Sequence, residues 1–134
     1  MHDRGADTKR AVPLMTSLAG KRILIVEDEA LLATMVADIL ECGGATIVGP
    51  ASTLKKGLIL AERGQIDVAL LDVNLRGESI DPIADMLFSR GTPIVFATGY
   101  GERPAGPWTS APIIGKPFTD ADLLRAIRQA LQFD

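Results

Sequence analysis

The chain reads as an α/β domain: a doubly wound, five-stranded parallel sheet with helices on both faces. Two observations predict it. From Lys21 onward, short apolar runs alternate with amphipathic segments of helical period. The runs are rich in Val, Ile and Leu and lack polar alternation, as strands buried on both faces do. A third observation orients the sheet. Glu27 and Asp28 follow Ile23–Val26, Asp72 follows Val68–Leu71, and Lys116 stands just after Ile113–Ile114. Right-handed crossovers bring the ends of parallel strands to one edge, where such sheets bind their ligands. Three carboxylates and an ammonium are therefore expected to converge. Crowded carboxylates repel one another, and hard oxygen ligands suit Mg²⁺, so the cluster suggests a metal site beside a reactive carboxylate.

The elements follow in order. Arg22–Val26 is the first strand. Glu29–Cys42 is an amphipathic helix with Leu31, Leu32, Met35, Val36, Ile39 and Leu40 on its apolar stripe, ended by Gly43 and Gly44. Ala45–Val48 is the second strand. Ser52 is expected to cap a helix reaching Arg63, with Leu54, Leu58 and Ala61 inward and Gly64 as its stop. Asp67–Leu71 is the third strand, and Asn74–Ser79 a polar loop. Asp81 reads as the cap of a helix with Pro82 at its first position, burying Ile83, Met86 and Leu87. Ile94–Ala97 and Ile113–Ile114 are the fourth and fifth strands. Thr119 and Asp122 form a capping box with Asp for the usual Glu, opening a helix that carries Leu123, Leu124, Ile127 and Leu131. One crossover breaks the rhythm. Gly101, Pro104, Gly106 and Pro107 oppose a regular helix between the fourth and fifth strands, so that helix is expected to be short, irregular or missing.

Bulk properties bound the function. The 134 residues suit one domain with a single core, and 47% hydrophobic with 23% charged residues is a globular composition. The apolar runs fall far short of the roughly 20 residues that span a bilayer. A net charge of −3 without a basic cluster argues against direct nucleic-acid binding. The lone Cys42 cannot form an internal disulfide, which fits a reducing compartment, and it reads as a small structural residue. His2 is the only histidine, so no internal imidazole serves acid–base chemistry. Residues 1–20 read as a flexible tail, or alternatively a short extra helix, without the apolar core of a secretory signal. Residues 21–134 form the domain, with no output domain expected after it.

Four segments, in order and at strand ends, resemble the signature of response-regulator receiver domains: Leu24-Ile25-Val26-Glu27-Asp28-Glu29, Leu70-Leu71-Asp72-Val73-Asn74-Leu75, Phe96-Ala97-Thr98-Gly99-Tyr100 and Lys116-Pro117-Phe118. The match covers about residues 21–132. The Phe96–Tyr100 run further resembles the "FAT GUY" subgroup, whose members are often stand-alone proteins working with HWE-type histidine kinases in stress signalling. The resemblance implies a flavodoxin-like (βα)5 fold. It implies a cytoplasmic signalling protein rather than an enzyme, a monomer or weak dimer with a histidine kinase and a downstream protein as partners. Asp72 would accept a phosphoryl group. Glu27 and Asp28 would hold Mg²⁺, directly or through water, with Asp72 and the backbone carbonyl of Asn74; Asp28 is the safer ligand of the two. Lys116, after which receivers have a cis proline, would neutralise a phosphoryl oxygen. Thr98 would donate its hydroxyl to another, and Asn74 and Tyr100 would flank the path of attacking water.

The chain departs from the pattern at one position. Many receivers carry Tyr or Phe three residues before the lysine, where this sequence has Ile113. A readout through Tyr100 and the loop after it is expected in its place. Trp108 in that loop has two readings: a lid packed on the sheet edge or last helix, or a partner-binding anchor. The segment from Ile113 to Phe133 is a candidate for part of the interaction face. Output is expected through protein–protein interaction or through action as a phosphate sink. Two other classes share this architecture. A flavodoxin-like enzyme or cofactor binder would want a phosphate loop where Glu27-Asp28-Glu29 stands. A receiver that binds without being phosphorylated is opposed by the intact Asp72, Thr98 and Lys116.

Overall fold

A computed structural model describes residues 18–99, 104, 106–108 and 110–132. The main sheet holds β1 (Arg22–Val26), β2 (Thr46–Ala51), β3 (Val68–Asp72), β6 (Ile94–Thr98) and β7 (Ile113–Gly115), in the order β2-β1-β3-β6-β7 and all parallel. A separate antiparallel pair, β4 (Asn74–Leu75) and β5 (Glu78–Ser79), follows the third strand. The helices are α1 (Ala30–Cys42), α2 (Leu54–Arg63), α3 (Asp81–Ser89) and α4 (Asp120–Ala130). The sheet order reverses direction at β1 and β3, so the carboxyl ends of these two central strands flank the switch point.

Two apolar layers hold the helices to the sheet. One joins Leu24, Val26, Leu71, Phe96, Ile83 and Leu87 beneath α2 and α3. The other joins Ile23, Ile25, Val36, Leu40, Leu123 and Ile127 beneath α1 and α4. Strands β3 and β6 are buried at every residue, which is why their sequences read as continuous apolar runs. Gly57 lets α2 approach closely: a Cβ there would stand 2.6 Å from Ile83 Cδ1 and 3.2 Å from Val26 Cγ2. Among the described residues, no helix is long and apolar enough to cross a membrane.

Several local expectations are corrected. On α1 the buried stripe is Ala33, Val36 and Leu40, whereas Leu31 and Met35 are 76% and 50% exposed. Leu31 and Met35 lie one turn apart on a row displaced from the stripe, so both miss the sheet together. Thr53, not Ser52, caps α2, its hydroxyl accepting from Lys56 N–H at 3.1 Å. Asp81 is the first helical residue of α3 rather than its cap, and Ser79 Oγ accepts its N–H at 3.0 Å. The expected polar loop at Asn74–Ser79 is a hairpin with Leu75 fully buried. The capping box of α4 is present: Thr119 Oγ1 accepts from Asp122 N–H at 3.0 Å and Asp122 Oδ2 from Thr119 N–H at 3.1 Å. The ordered body begins ahead of residue 21, because Leu18 is wholly buried and donates its N–H to Gly43 O at 3.1 Å.

Among the described residues, no helix lies between β6 and β7. Trp108 fills part of that layer instead. It is 3% exposed, with ring centroids 6.2 Å from both Phe88 and Phe96. The lid reading of Trp108 therefore holds, with the ring seated on Phe88 of α3 and Phe96 of β6. A bare Gly106 backbone lies against the indole, where a Cβ would strike the ring. Tyr100, proposed as a readout, lies outside the described residues.

Candidate functional site: an acidic pocket at the sheet edge

The carboxyl ends of β1, β3 and β6 and the turn after β7 meet where the sequence placed its charged residues. Glu27 follows β1 directly, Asp72 ends β3 and Thr98 ends β6. All three are buried, at 4%, 4% and 5% exposure. Thr98 is in register with Gly115, and its carbonyl accepts the N–H of Lys116 at 2.8 Å, which sets where the lysine leaves the strand. The Lys116–Pro117 peptide is cis.

The lysine side chain turns into the pocket. Its Nζ lies 2.9 Å from Glu27 Oε1, 3.1 Å from Glu27 Oε2 and 3.1 Å from Asp72 Oδ2. A longer contact of 3.7 Å reaches Glu29 Oε1, a residue that sequence reasoning treated only as the start of a helix. Backbone donors complete the frame. Glu29 N–H donates to Glu27 Oε2 at 3.0 Å, and Asn74 N–H donates to Asp72 Oδ1 at 3.2 Å. Asp28 stands at the rim, its Oδ2 3.8 Å from Arg76 Nε. Arg76 is a second residue that the sequence reading passed over. Its only sequence signal was its place before Gly77 in a tight turn.

Burial governs the electrostatics. Loss of water raises the Glu27 carboxyl from its ordinary 4.5 to about 7, against the opposing pull of Glu29 N–H and Lys116. Asp72 is raised for the same first reason, with Lys116 and Asn74 N–H opposing. Burial works to lower the Lys116 ammonium, but its bonds to Glu27 and Asp72 outweigh this and leave it above the usual lysine value. The buried acids of the site, Glu27 and Asp72, are thus held in place by the Lys116 ammonium.

One oxygen each of Glu27, Asp28 and Asp72 can be chosen so that all lie within 4.8 Å of one another. Three carboxylates against the Lys116 ammonium and the exposed Arg76 guanidinium leave net negative charge in a partly desolvated pocket. Oxygen-only donors suit a small hard dication, so the residues fit Mg²⁺. Glu27 is the most engaged of the three, with both oxygens on Lys116; Asp28, near the surface, is the most available. A partly apolar hollow of about 340 Å³ between Phe88, Pro93, Trp108, Pro112 and Ala130 lies toward the amino ends of β6 and β7, away from this chemistry.

No family model matches the chain. The transcriptional regulatory protein PdtaR of Mycobacterium tuberculosis is 33% identical over 130 residues, which is 93% of this chain and 60% of that protein. The chain thus spans less than two thirds of that relative. The solution structure of SdrG from Sphingomonas melonis is 43% identical, with a TM-score of 0.75 over 84% of this chain and 97% of that one. A response regulator receiver domain protein (CheY-like) from Methanospirillum hungatei is 28% identical, with a TM-score of 0.71 over 85% and 95% of the two chains. With this sheet order, this acidic edge and these relatives, the chain belongs to the CheY-like receiver domains of response regulators.

Proposed function

We propose that Asp72 accepts a phosphoryl group from a phosphohistidine of a histidine kinase, of the HWE type, in the presence of Mg²⁺. The observation that carries this reading is the placement of Lys116 Nζ, 2.9 Å from Glu27 and 3.1 Å from Asp72. It sets one ammonium beside a strand-end carboxylate that faces the ligand-binding edge.

In the transfer, a carboxylate oxygen of Asp72 attacks phosphorus as the phosphorus–nitrogen bond breaks, and the imidazole departs with that electron pair. No general base is needed, because an ionised carboxylate is already the nucleophile. Lys116 and the Thr98 hydroxyl meet the phosphoryl oxygens, and Asn74 N–H holds the carboxylate in line. Asp28, Asp72 and the Asn74 carbonyl, with Glu27 directly or through water, would hold Mg²⁺, which would supply charge neutralisation for the phosphoryl oxygens. Positioning and electrostatics carry the reaction.

Output follows through phosphorylation-dependent protein–protein interaction in cytoplasmic stress signalling, or through draining the kinase as a phosphate sink. Ile113 has no ring to swing, so the readout runs through other groups near Thr98, with the segment after Gly99 as the candidate. Incubation with acetyl phosphate and Mg²⁺ tests the core of the reading. An acid-stable, hydroxylamine-labile mass gain is expected for the wild type and none for Asp72→Asn. Equal labelling of the variant would overturn it.

A further inference from the structure

The ion pairs divide the acidic cluster unequally. Lys116 reaches Glu27, Glu29 and Asp72, but the cation against Asp28 is Arg76. Arg76 does not come from a strand of the main sheet. It sits at the tip of the β4–β5 hairpin, with φ of +51° beside Gly77 at +89°. Two positive φ values in a two-residue loop are the pattern of a type I′ turn.

That hairpin is anchored on several sides. Asn74 N–H is bonded to Asp72 Oδ1 at 3.2 Å, and Gly77 N–H closes the turn on Asn74 Oδ1 at 2.6 Å. Leu75 is buried in the core, and Ser79 Oγ ties the second strand to the start of α3. The backbone of Arg76 is therefore held at the rim of the pocket, while its side chain is 73% exposed and only 3.8 Å from Asp28. An exposed pair at that distance is weak and easily exchanged.

We propose that Arg76 is a positioning residue that competes with a divalent cation for Asp28. It balances the Asp28 carboxylate in the metal-free pocket and is displaced when the cation takes that carboxylate. Like charges a few ångströms apart repel, so a guanidinium on Asp28 opposes a dication on the same carboxylate. Because the hairpin holds its base, the displaced guanidinium stays at the mouth of the site, where a phosphoryl donor arrives. The inference rests on the metal-dependent reading above and assigns Arg76 a place in it.

The test is Mg²⁺ binding by isothermal titration calorimetry to the full chain. Arg76→Asn removes the guanidinium yet suits the turn, since Asn-Gly is the favoured pair for it. Its melting temperature verifies the fold. The variant is expected to bind Mg²⁺ about two- to five-fold more tightly than wild type, the range of an exposed ion pair. The gain should shrink as ionic strength rises. A purely structural role for Arg76 would weaken binding or leave it unchanged, and either result overturns the proposal. A wild type that takes label on Asp72, with no tightening in the variant, overturns this inference and leaves the phosphoacceptor reading standing. A wild type that binds no Mg²⁺ overturns this inference together with the metal reading.

Discussion

Lys116 straddles Glu27: its Nζ stands 2.9 Å from Oε1 and 3.1 Å from Oε2 of the same buried carboxylate. The first acid of the pair after β1 thus serves the lysine as much as any metal. It fixes the ammonium at the depth where Asp72 Oδ2 is also in reach, at 3.1 Å.

Lys116→Met should keep most of the volume and remove this cation. Glu27 and Asp72 would then face each other without compensation, and both would hold protons more tightly. Labelling by acetyl phosphate at saturating Mg²⁺ is expected to fall by about 10²-fold or more, as for loss of one electrostatic partner of a transition state. A rate within a factor of two of wild type would remove Lys116 from the mechanism.

Stability of the metal-free protein should decline as pH rises through the Glu27 transition. Unfolded Glu27 releases its proton near 4.5, whereas the folded residue keeps it to about 7. Between these values the folded state binds more protons. The associated stability is fully present below 4.5 and is lost as pH rises through about 7. The upward shift of Asp72 acts in the same sense. Urea denaturation at pH 5 and pH 8 reads the difference. Added Mg²⁺, which needs ionised carboxylates, should stabilise the protein more at pH 8 than at pH 5.

Trp108 should matter to the fold more than to the chemistry. Its ring packs between Phe88 and Phe96, while its Nε1 is buried without a hydrogen-bond partner. Trp108→Ala is expected to cost about 3–5 kcal/mol in denaturant titrations. Trp108→Phe should cost much less, because it also deletes an unsatisfied donor. Equal losses for the two variants would contradict this packing.

Thr119→Ala should remove one half of the capping box and expose the other. A loss of about 1 kcal/mol is expected, with Asp72 labelling unchanged. The Asp122 carboxyl, held below the usual aspartate range first by Thr119 N–H, keeps that bond in the variant. Titration of Asp122 by NMR should therefore show only a partial return to the ordinary value.

Much of this architecture was legible in one dimension because the signals were redundant. A strand such as Val68–Asp72 is apolar at each position but the last, and Asp72 there marks both the end of the strand and the reactive edge. Thr119 and Asp122 announced their helix by side-chain chemistry that acts within four residues. Expectations failed where a choice depended on a neighbour distant in sequence. Leu31 and Met35 look as apolar as Val36 and Leu40, yet only the direction in which α1 meets the sheet decides which row is covered. Thr53 and Ser52 are equivalent as isolated caps, and the path of the chain out of β2 selects between them. Leu75 is buried although the residues around it are polar, because the hairpin folds back beside Asp72.

The chain's local order specified the alternating elements, the parallel sheet and the residue types gathered at its edge, since periodicity, caps and breakers all act over a few residues. The three-dimensional fold alone assigned the partners. It put Lys116 on Glu27 as well as on Asp72, left Asp28 to Arg76, and seated Trp108 on Phe88 and Phe96. Ion pairs and ring contacts depend on distances of a few ångströms between strands and turns tens of residues apart. Those distances exist only after the sheet has twisted and the helices have packed on it.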